Sequence, residues 1–389
     1  MLIVLFTFAL LSITLFEALV ILILIYLSFR AIRGKTKLGG KLFLPLVLHA
    51  ISALTSTLLY YPAQFGKAVE RSIFLLAYPF GGLMKMDEKS LFRFNLFLVF
   101  MGLILIPLVF YRYRATGQPA MIWGGWFEVG AFYTIFAVAS LSLFFYTRRI
   151  YYLLPFIIFV SIVFFTARRS AMLGLAFALI LFAILTLKNL SKKALLGIIG
   201  TLIVGFGIST TLLVEKDPRY KTAFEVIGGE RDLEDETLNI ISSYRWEIAK
   251  AGIEVIKRDF EEGNWIPLLI GHGINSGYYL EPKSPVGGVY ESVFILSEFI
   301  EKGILGLLSV LWVYWVYLRF LINFRILGKS DYLLMPMFLA LGSHLMSSIF
   351  TFFWDAMLPL YLIMFRVVES FKGEGPAYEP YPQAQKNYP

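Results

Sequence analysis

Long apolar stretches constrain this 389-residue chain more than any other feature of its sequence. A helix needs about 20 apolar residues to cross the hydrocarbon core of a bilayer. Ten runs approach or exceed that length, and a shorter run at 72–84 contains Pro79, Gly81 and Gly82. The ten runs cover 2–29, 42–61, 94–111, 121–146, 150–167, 170–187, 194–214, 292–318, 332–350 and 352–366. We therefore predict an all-α, polytopic membrane helix bundle with about 11–12 transmembrane helices.

The composition excludes several other classes of protein. Hydrophobic residues make up 58% of the chain and charged residues 16%, whereas a soluble domain has about 45–50% and about 25%. This excludes a water-soluble globule and a disordered or fibrous chain. The sequence contains no cysteine, which excludes disulfides and thiolate chemistry. It also contains neither an HExxH motif nor a cluster of histidines and carboxylates, so we predict no metal, no cofactor and no nucleic-acid partner.

Lysines and arginines are distributed unevenly between the two sides that alternating spans would produce. Starting from the basic stretch at 30–41 as cytoplasmic, nineteen of them fall inside and six fall in short outside turns. This imbalance follows the positive-inside rule and predicts an N-terminus outside and a C-terminus inside. The predicted organisation is an N-terminal bundle (1–214), a large extracytoplasmic loop (215–288), C-terminal membrane helices (289–368) and a disordered cytoplasmic tail (369–389).

The extracytoplasmic loop carries most of the acidic residues and contains one helical pattern. At 243–257, apolar residues recur at helical spacing with polar residues between them, which predicts an amphipathic helix on the membrane face or over the bundle. Arg245 begins this helix. A surface salt bridge is the simplest interpretation of Arg245 on sequence grounds.

Several arginines are predicted to lie outside, on the side that the positive-inside rule disfavours. Arg168 and Arg169 join two spans with no room for a loop, and Arg114 follows an earlier span. Such residues either extend to lipid phosphate or face an internal cavity. With Arg245 they would form an external cluster, and the planar fork of arginine suits bidentate binding of phosphate.

Two residues are candidates for a general base. Glu291 opens the span at 292–318, where partial desolvation would raise the pKa of a carboxyl, although a first-turn glutamate is also favoured by the helix dipole. His272 lies in a glycine-rich turn on the outside. Glu17, Glu128 and His344 lie within spans and favour a second hypothesis, proton-coupled transport.

The order of these motifs resembles the O-antigen ligase and polymerase superfamily. The resemblance rests on Arg245 within SYRWEIA, the turn at 267–273, Glu291-Ser292, and the Glu-x-Gly-x-x-Gly pattern from Glu301 to Gly306. The segment 166–170 is similar to the family's Ser-Arg segment, with Arg169 the better match, and Arg114 to Gly117 resembles its Arg-x-x-Gly. The resemblance covers roughly residues 110–310. Where ligases of the family carry a His-Asn pair, this chain has Tyr290-Glu291-Ser292, which favours a Wzy-type polymerase.

The resemblance implies a GT-C-like, metal-independent glycosyltransferase. It would polymerise undecaprenyl-pyrophosphate-linked repeats at the periplasmic face of the bacterial inner membrane, with a lipid-linked glycan donor and a glycan acceptor as partners. A chain-length regulator protein is a further candidate partner. Arg114, Arg168, Arg169 and Arg245 would bind the pyrophosphate, and Glu291, His272 and Arg245 would act in catalysis. An O-antigen ligase acting on lipid A core, a transporter and a non-enzymatic assembly scaffold are the alternatives.

Overall fold

The computed structural model describes residues 1–34, 39–186, 200, 207, 218–283 and 293–373. Every regular element within these residues is helical, which confirms the all-α prediction. The N-terminal helices are α1 (Leu2–Leu11), α2 (Ile13–Ile32), α3 (Phe43–Tyr60), α4 (Phe65–Leu75), α5 (Glu88–Thr116), α6 (Trp126–Thr147), α7 (Leu153–Phe165) and α8 (Arg169–Thr186). The predicted loop contains α9 (Pro218–Ile227), α10 (Asp235–Ser242), α11 (Arg245–Glu261) and α12 (Trp265–Ile270). The C-terminal helices are α13 (Phe294–Asn323), α14 (Met335–Ser348) and α15 (Leu358–Phe371).

Six helices of the described residues are long and apolar enough to cross a membrane, namely α2, α3, α5, α6, α8 and α13. The chain is therefore a multi-pass membrane protein. The predicted runs at 332–350 and 352–366 form shorter helices, α14 and α15, of fourteen residues each. Both are buried along most of their length, so other helices rather than lipid surround them. The predicted span at 194–214 lies outside the described residues except for positions 200 and 207.

The first apolar run, predicted as a single span over 2–29, forms two helices instead. Ser12 has an extended backbone (φ −165°, ψ 135°) and separates α1 from α2. Because Met1 lies in the same cavity as Arg30, α1 folds back along α2. The N-terminus therefore faces the Arg30 end of the bundle, whereas the single predicted span required it at the opposite end. A continuous apolar composition does not mark such a break, and this is why the sequence predicted one crossing.

Helix α6 lies at the centre of the bundle, with fifteen of its 22 residues buried. It packs against α5, α7, α8 and α14. Aromatic rings fill the space between α6, α1 and α7: the Phe6 and Phe132 ring centroids are 5.6 Å apart, and those of Tyr133 and Phe159 also 5.6 Å. Edge-to-face pairs of this kind contribute about 0.5–1.5 kcal/mol beyond their buried area. This rigid centre holds the ends of the surrounding helices in fixed positions.

Helix α13 is broken at Gly303, and the segment predicted as the extracytoplasmic loop is attached at the break. Gly303 has φ 64° and ψ −170°, a conformation that only glycine adopts readily. The break leaves two carbonyls of α13 without helical partners, and the turn after α12 supplies donors. The His272 N–H donates to Ile300 O at 2.8 Å, and the Gly273 N–H donates to Glu301 O at 3.0 Å. The loop is thus tied to a membrane helix through its backbone.

A buried ionic network lies beside this break. Lys302 Nζ is 3.0 Å from Glu298 Oε1 and 3.4 Å from Glu301 Oε2. Glu298 Oε2 is in turn 2.9 Å from His49 Nε2 of α3. All four side chains are buried. A buried charge is tolerated only when it is paired, so the network joins α3 to α13.

Removing the cation of this network should destabilise the protein. We expect Lys302→Met to lower the free energy of unfolding by about 3–5 kcal/mol, because two carboxylates lose their buried partner. Lys257→Met is the matched control, since Lys257 pairs with Glu261 at 3.7 Å with both side chains more than half exposed. That change should alter stability by less than about 0.5 kcal/mol. Thermal unfolding in detergent measures both, and equal effects would contradict a structural role for the network.

Candidate active site

Two tight turns bring arginines to the first turns of two helices. Helix α8 begins at Arg169, two residues after Ala167, whose φ is +53°. Helix α11 begins at Arg245, directly after Ser243 and Tyr244, whose φ values are +60° and +63°. Left-handed conformations of non-glycine residues are unfavourable and concentrate at functional sites. A helix N-terminus also carries positive partial charge, so arginines there are held where the helix dipole disfavours them.

Hydrogen bonds connect the two turns. Arg169 Nη1 donates to Ile241 O at 2.9 Å, and its Nη2 donates to Ser243 Oγ at 3.0 Å. Arg219 of α9 donates to the same Ser243 Oγ at 2.9 Å. The Arg169 guanidinium also lies over the ring of Tyr220, 5.7 Å from its centroid. One serine hydroxyl therefore orients two guanidinium groups.

The charges of three guanidinium groups affect a fourth, that of Arg245. Burial lowers the pKa of Arg245, and the charges of Arg169, Arg219 and Arg168 lower it further. Arg168 is exposed, whereas the other three side chains are partly buried. We call Arg168, Arg169, Arg219 and Arg245 the arginine cluster. Four like charges repel one another, and a polyanion bound between them would relieve that repulsion.

The structure brings together three of the four arginines predicted as pyrophosphate ligands. Arg168, Arg169 and Arg245 are in the cluster, and the structure adds Arg219. No sequence pattern indicated Arg219, because its position depends on how α9 packs against α10 and on its bond to Ser243. Arg114 lies at the same end of the bundle, since its neighbour Tyr113 packs on Phe165 at 4.8 Å. It is exposed and is not among the charges that act on Arg245.

His272 is placed apart from the arginine cluster. Its Nε2 lies 2.7 Å from Asp259 Oδ2, and both side chains are largely buried. Asp259 follows Arg245 by fourteen residues on the same helix, a rise of about 21 Å. The structure therefore does not bring His272 to Arg245. The hydroxyl of Tyr279 donates to the carbonyl of His272, and this bond helps to hold the turn that docks on α13.

One carboxylate, Glu128, lies near the first turn of α8, and a second, Asp355, lies close to Glu128. Glu128, in the first turn of α6, is two residues from Gly130, which packs directly against Ala171 of α8. The charge of Glu128 reaches Asp355, which is buried and accepts a hydrogen bond from the Met357 N–H at 2.7 Å. Glu128 is one of the residues that favoured the transport hypothesis on sequence grounds. Glu291, the carboxylate that the sequence favoured as base, lies outside the described residues.

The remaining polar groups near α8 line a small cavity. Ser347 Oγ donates to Ser170 O at 2.8 Å and joins α14 to α8. The cavity next to this bond is lined by Ala171, His344 and Tyr361, among others. His344 Nε2 is 2.9 Å from Phe353 O, in the segment that joins α14 to α15. Among the residues that the structure describes, no group of three or more His, Asp or Glu is arranged to hold a metal ion.

Comparison with known families identifies the chain. The sequence profile described as O-Antigen ligase matches residues 154–311, a segment that runs from α7 to α13 and contains the whole arginine cluster. The chain belongs to the O-antigen ligase and polymerase superfamily. As a member of this superfamily it is a membrane enzyme of the ligase or polymerase type. The sequence resemblance is thereby confirmed, while Arg114 lies outside the matched segment.

A relative of similar length is known from Aquifex aeolicus (strain VF5). It is 40% identical over 370 residues, which cover 94% of this chain and 95% of the relative, and it is described as an uncharacterized protein. No solved structure matches the chain described here. The identity extends across nearly the whole chain, so it includes the loop and both sets of membrane helices.

Proposed function

We propose that this enzyme polymerises undecaprenyl-pyrophosphate-linked oligosaccharide repeats at the outer face of the bacterial inner membrane. The arginine cluster is the observation that carries the proposal, because four guanidinium groups at one end of a membrane bundle suit the pyrophosphate of a lipid carrier. The distribution of lysines and arginines supports an external position for that end. The lipid tail would lie against the membrane helices while the glycan faces the loop.

The reaction is a displacement at the anomeric carbon of the donor sugar. A hydroxyl of the acceptor glycan forms the new glycosidic bond as the bond between the anomeric carbon and the pyrophosphate oxygen breaks. The leaving group is undecaprenyl pyrophosphate, on which negative charge increases in the transition state. Arg169 and Arg219, oriented by Ser243, and the partly buried Arg245 would stabilise this charge. No metal is needed for this role.

A carboxylate accepts the proton of the attacking hydroxyl in this proposal. Glu291 is the candidate from the sequence, and Asp355 is the candidate among the described residues because it is buried and lies close enough to Glu128 for the two charges to interact. His272 is too far from Arg245 for this role. Comparing Glu291→Gln with Asp355→Asn distinguishes the two: the variant of the true base should lose turnover while still binding the lipid-linked donor.

The departure at Tyr290-Glu291-Ser292 from the ligases' His-Asn pair favours a polymerase over a ligase. The glycan profile of a deletion strain tests this choice. A polymerase predicts loss of long chains with a single capped repeat retained, whereas loss of all capping indicates a ligase. Substrate flux into proteoliposomes without a glycan product would instead indicate a transporter and would overturn the proposal.

Complementation of the deletion strain tests the arginine cluster directly. We expect Arg169→Ala to restore no long chains, because Arg169 belongs to the arginine cluster and also joins α8 to the α10–α11 turn. Arg231→Ala is a matched control in the same loop, since Arg231 contacts Thr237 and Glu225 instead. The Arg231→Ala variant should restore long glycan chains to the same extent as the wild type. Long chains in the strain that carries Arg169→Ala, at normal expression, would contradict the proposed site.

A further inference from the structure

A large cavity lies at the end of the bundle opposite the arginine cluster. Its volume is about 610 Å³, within the range of about 300–1,000 Å³ typical of pockets that hold small molecules. It is bounded by the start of α1, the second half of α2, the turn at Tyr78–Leu83 and the start of α5. The start of α5 is about 43 Å along the helix axis from its other end, where Tyr113 packs beside α7. The cavity is thus separated from the proposed active site by the thickness of a membrane.

The interior of the cavity is apolar and its charged residues are all basic. Leu19, Leu22 and Ile23 of α2 face Phe94 of α5 across it. Arg30, Lys85 and Arg93 also line it, and no acidic residue is among the described residues that do so. All three cations belong to segments that the positive-inside rule assigns to the cytoplasm. The cations therefore mark the level of the inner-leaflet headgroups.

The polar groups next to the cavity hold Arg30 in place and bind two neighbouring carboxylates. Arg30 Nη1 donates to Tyr26 OH at 2.8 Å, and its guanidinium lies over the Tyr26 ring, so the side chain is held against the cavity wall. Asp87 accepts the Ser90 N–H at the start of α5, and Glu88 accepts the Tyr146 hydroxyl at 2.6 Å. Asp87 and Glu88 are thus engaged in these bonds, and neither lines the cavity. Lys85 and Arg93 are exposed to solvent.

We propose that this cavity binds an anionic glycerophospholipid of the cytoplasmic leaflet. One acyl chain would occupy the apolar space between α2 and α5, and the phosphate would lie between Arg30, Lys85 and Arg93. Basic pockets between membrane helices on the cytoplasmic side bind anionic headgroups in this way. The phosphate would bridge α2 and α5, two helices with little other polar contact in this region of the described structure, and would fix the α1–α2 hairpin on the bundle.

Native mass spectrometry of the full-length protein tests the proposal. The protein is released from nanodiscs of phosphatidylglycerol or of phosphatidylcholine, and the lipid that remains bound is counted. We expect one phosphatidylglycerol to be retained and phosphatidylcholine to be lost. Lys85→Glu/Arg93→Glu should reduce the retained phosphatidylglycerol about tenfold or more, because two attractive charges become repulsive.

Arg319→Glu/Lys329→Glu is the control, since it makes the same change in net charge at exposed positions on the cytoplasmic side but away from the cavity. It should retain the lipid as the wild type does. If the charge-reversed variant fails to fold, Lys85→Gln/Arg93→Gln takes its place. Equal retention of both lipids, or equal loss in test and control variants, would overturn the proposal. Retention of a polyprenyl phosphate in its place would also overturn it.

Discussion

Replacing Arg245 with alanine is expected to slow glycan chain extension by about 10²–10³-fold. Removal of one preorganised donor to a developing negative charge has an effect of this size. Arg245 is partly buried, and only other arginines contribute to the charge effect on its pKa. Its guanidinium is therefore placed where an anion gains most from it. The rate at which the purified protein extends glycan chains from a lipid-linked repeat measures the effect.

The same substitution should leave the stability of the protein unchanged or increase it. Removing one of four like charges lowers the repulsion within the arginine cluster, whereas removing a structural arginine would destabilise the fold. Thermal unfolding in detergent separates these outcomes. Arg245→Lys keeps the charge but loses the planar fork, so its activity should fall between wild type and alanine. Full activity together with lower stability in Arg245→Ala would show that the residue acts only in folding.

Gly303→Ala is expected to destabilise the protein by at least about 3 kcal/mol. An added Cβ would lie 2.3 Å from the Leu269 carbonyl carbon, and the φ of 64° is itself unfavourable for alanine. Gly271 faces the same contact from the other side, since its added Cβ would lie 2.3 Å from the Glu301 carbonyl carbon. The two glycines permit a close approach between backbones, and neither segment can yield without losing its hydrogen bonds.

Gly117→Ala is the matched control for this experiment. Gly117 has a similar φ of 72° at the end of α5, but a Cβ there would meet no atom within 4 Å. It should therefore show only the conformational effect of about 1–2 kcal/mol. The yield of folded protein and the temperature of unfolding in detergent measure both variants. Equal destabilisation by the two substitutions would contradict the packing between the loop and α13.

Much of the fold follows from sequence patterns that act over short distances. The amphipathic helix predicted at 243–257 forms as α11, with Ile248 and Val255 buried. The short run at 72–84 contains a proline and two glycines, and these form the 3₁₀ turn at Tyr78–Leu83 instead of part of a regular helix. The break at Ser12 was not predicted, because an apolar run of this length contains no residue that reliably marks a turn.

The candidate site was only partly predictable from the sequence. Arg168 and Arg169 were noticeable because the predicted topology puts them on the side of the membrane that usually lacks basic residues, and Arg245 because it begins an amphipathic helix. Arg219 joins the site through its bond to Ser243, a residue that also accepts a bond from Arg169, far earlier in the chain. Such contacts depend on tertiary packing, which periodicity and composition do not encode. Conversely, the imidazole of His272 could act as a general base, but its partner Asp259 holds it beside the break in α13.

The attachment of α11 at both ends limits how the loop can move. At its start, the turn at Ser243 is bonded to Arg169 of α8. Near its end, Asp259 pairs with His272, in a turn whose backbone is bonded to α13. A helix that is bonded at both ends cannot swing open over the site as a lid would. Under the proposed function, a lipid-linked donor would therefore reach the arginines by sliding sideways between membrane helices, beneath α11.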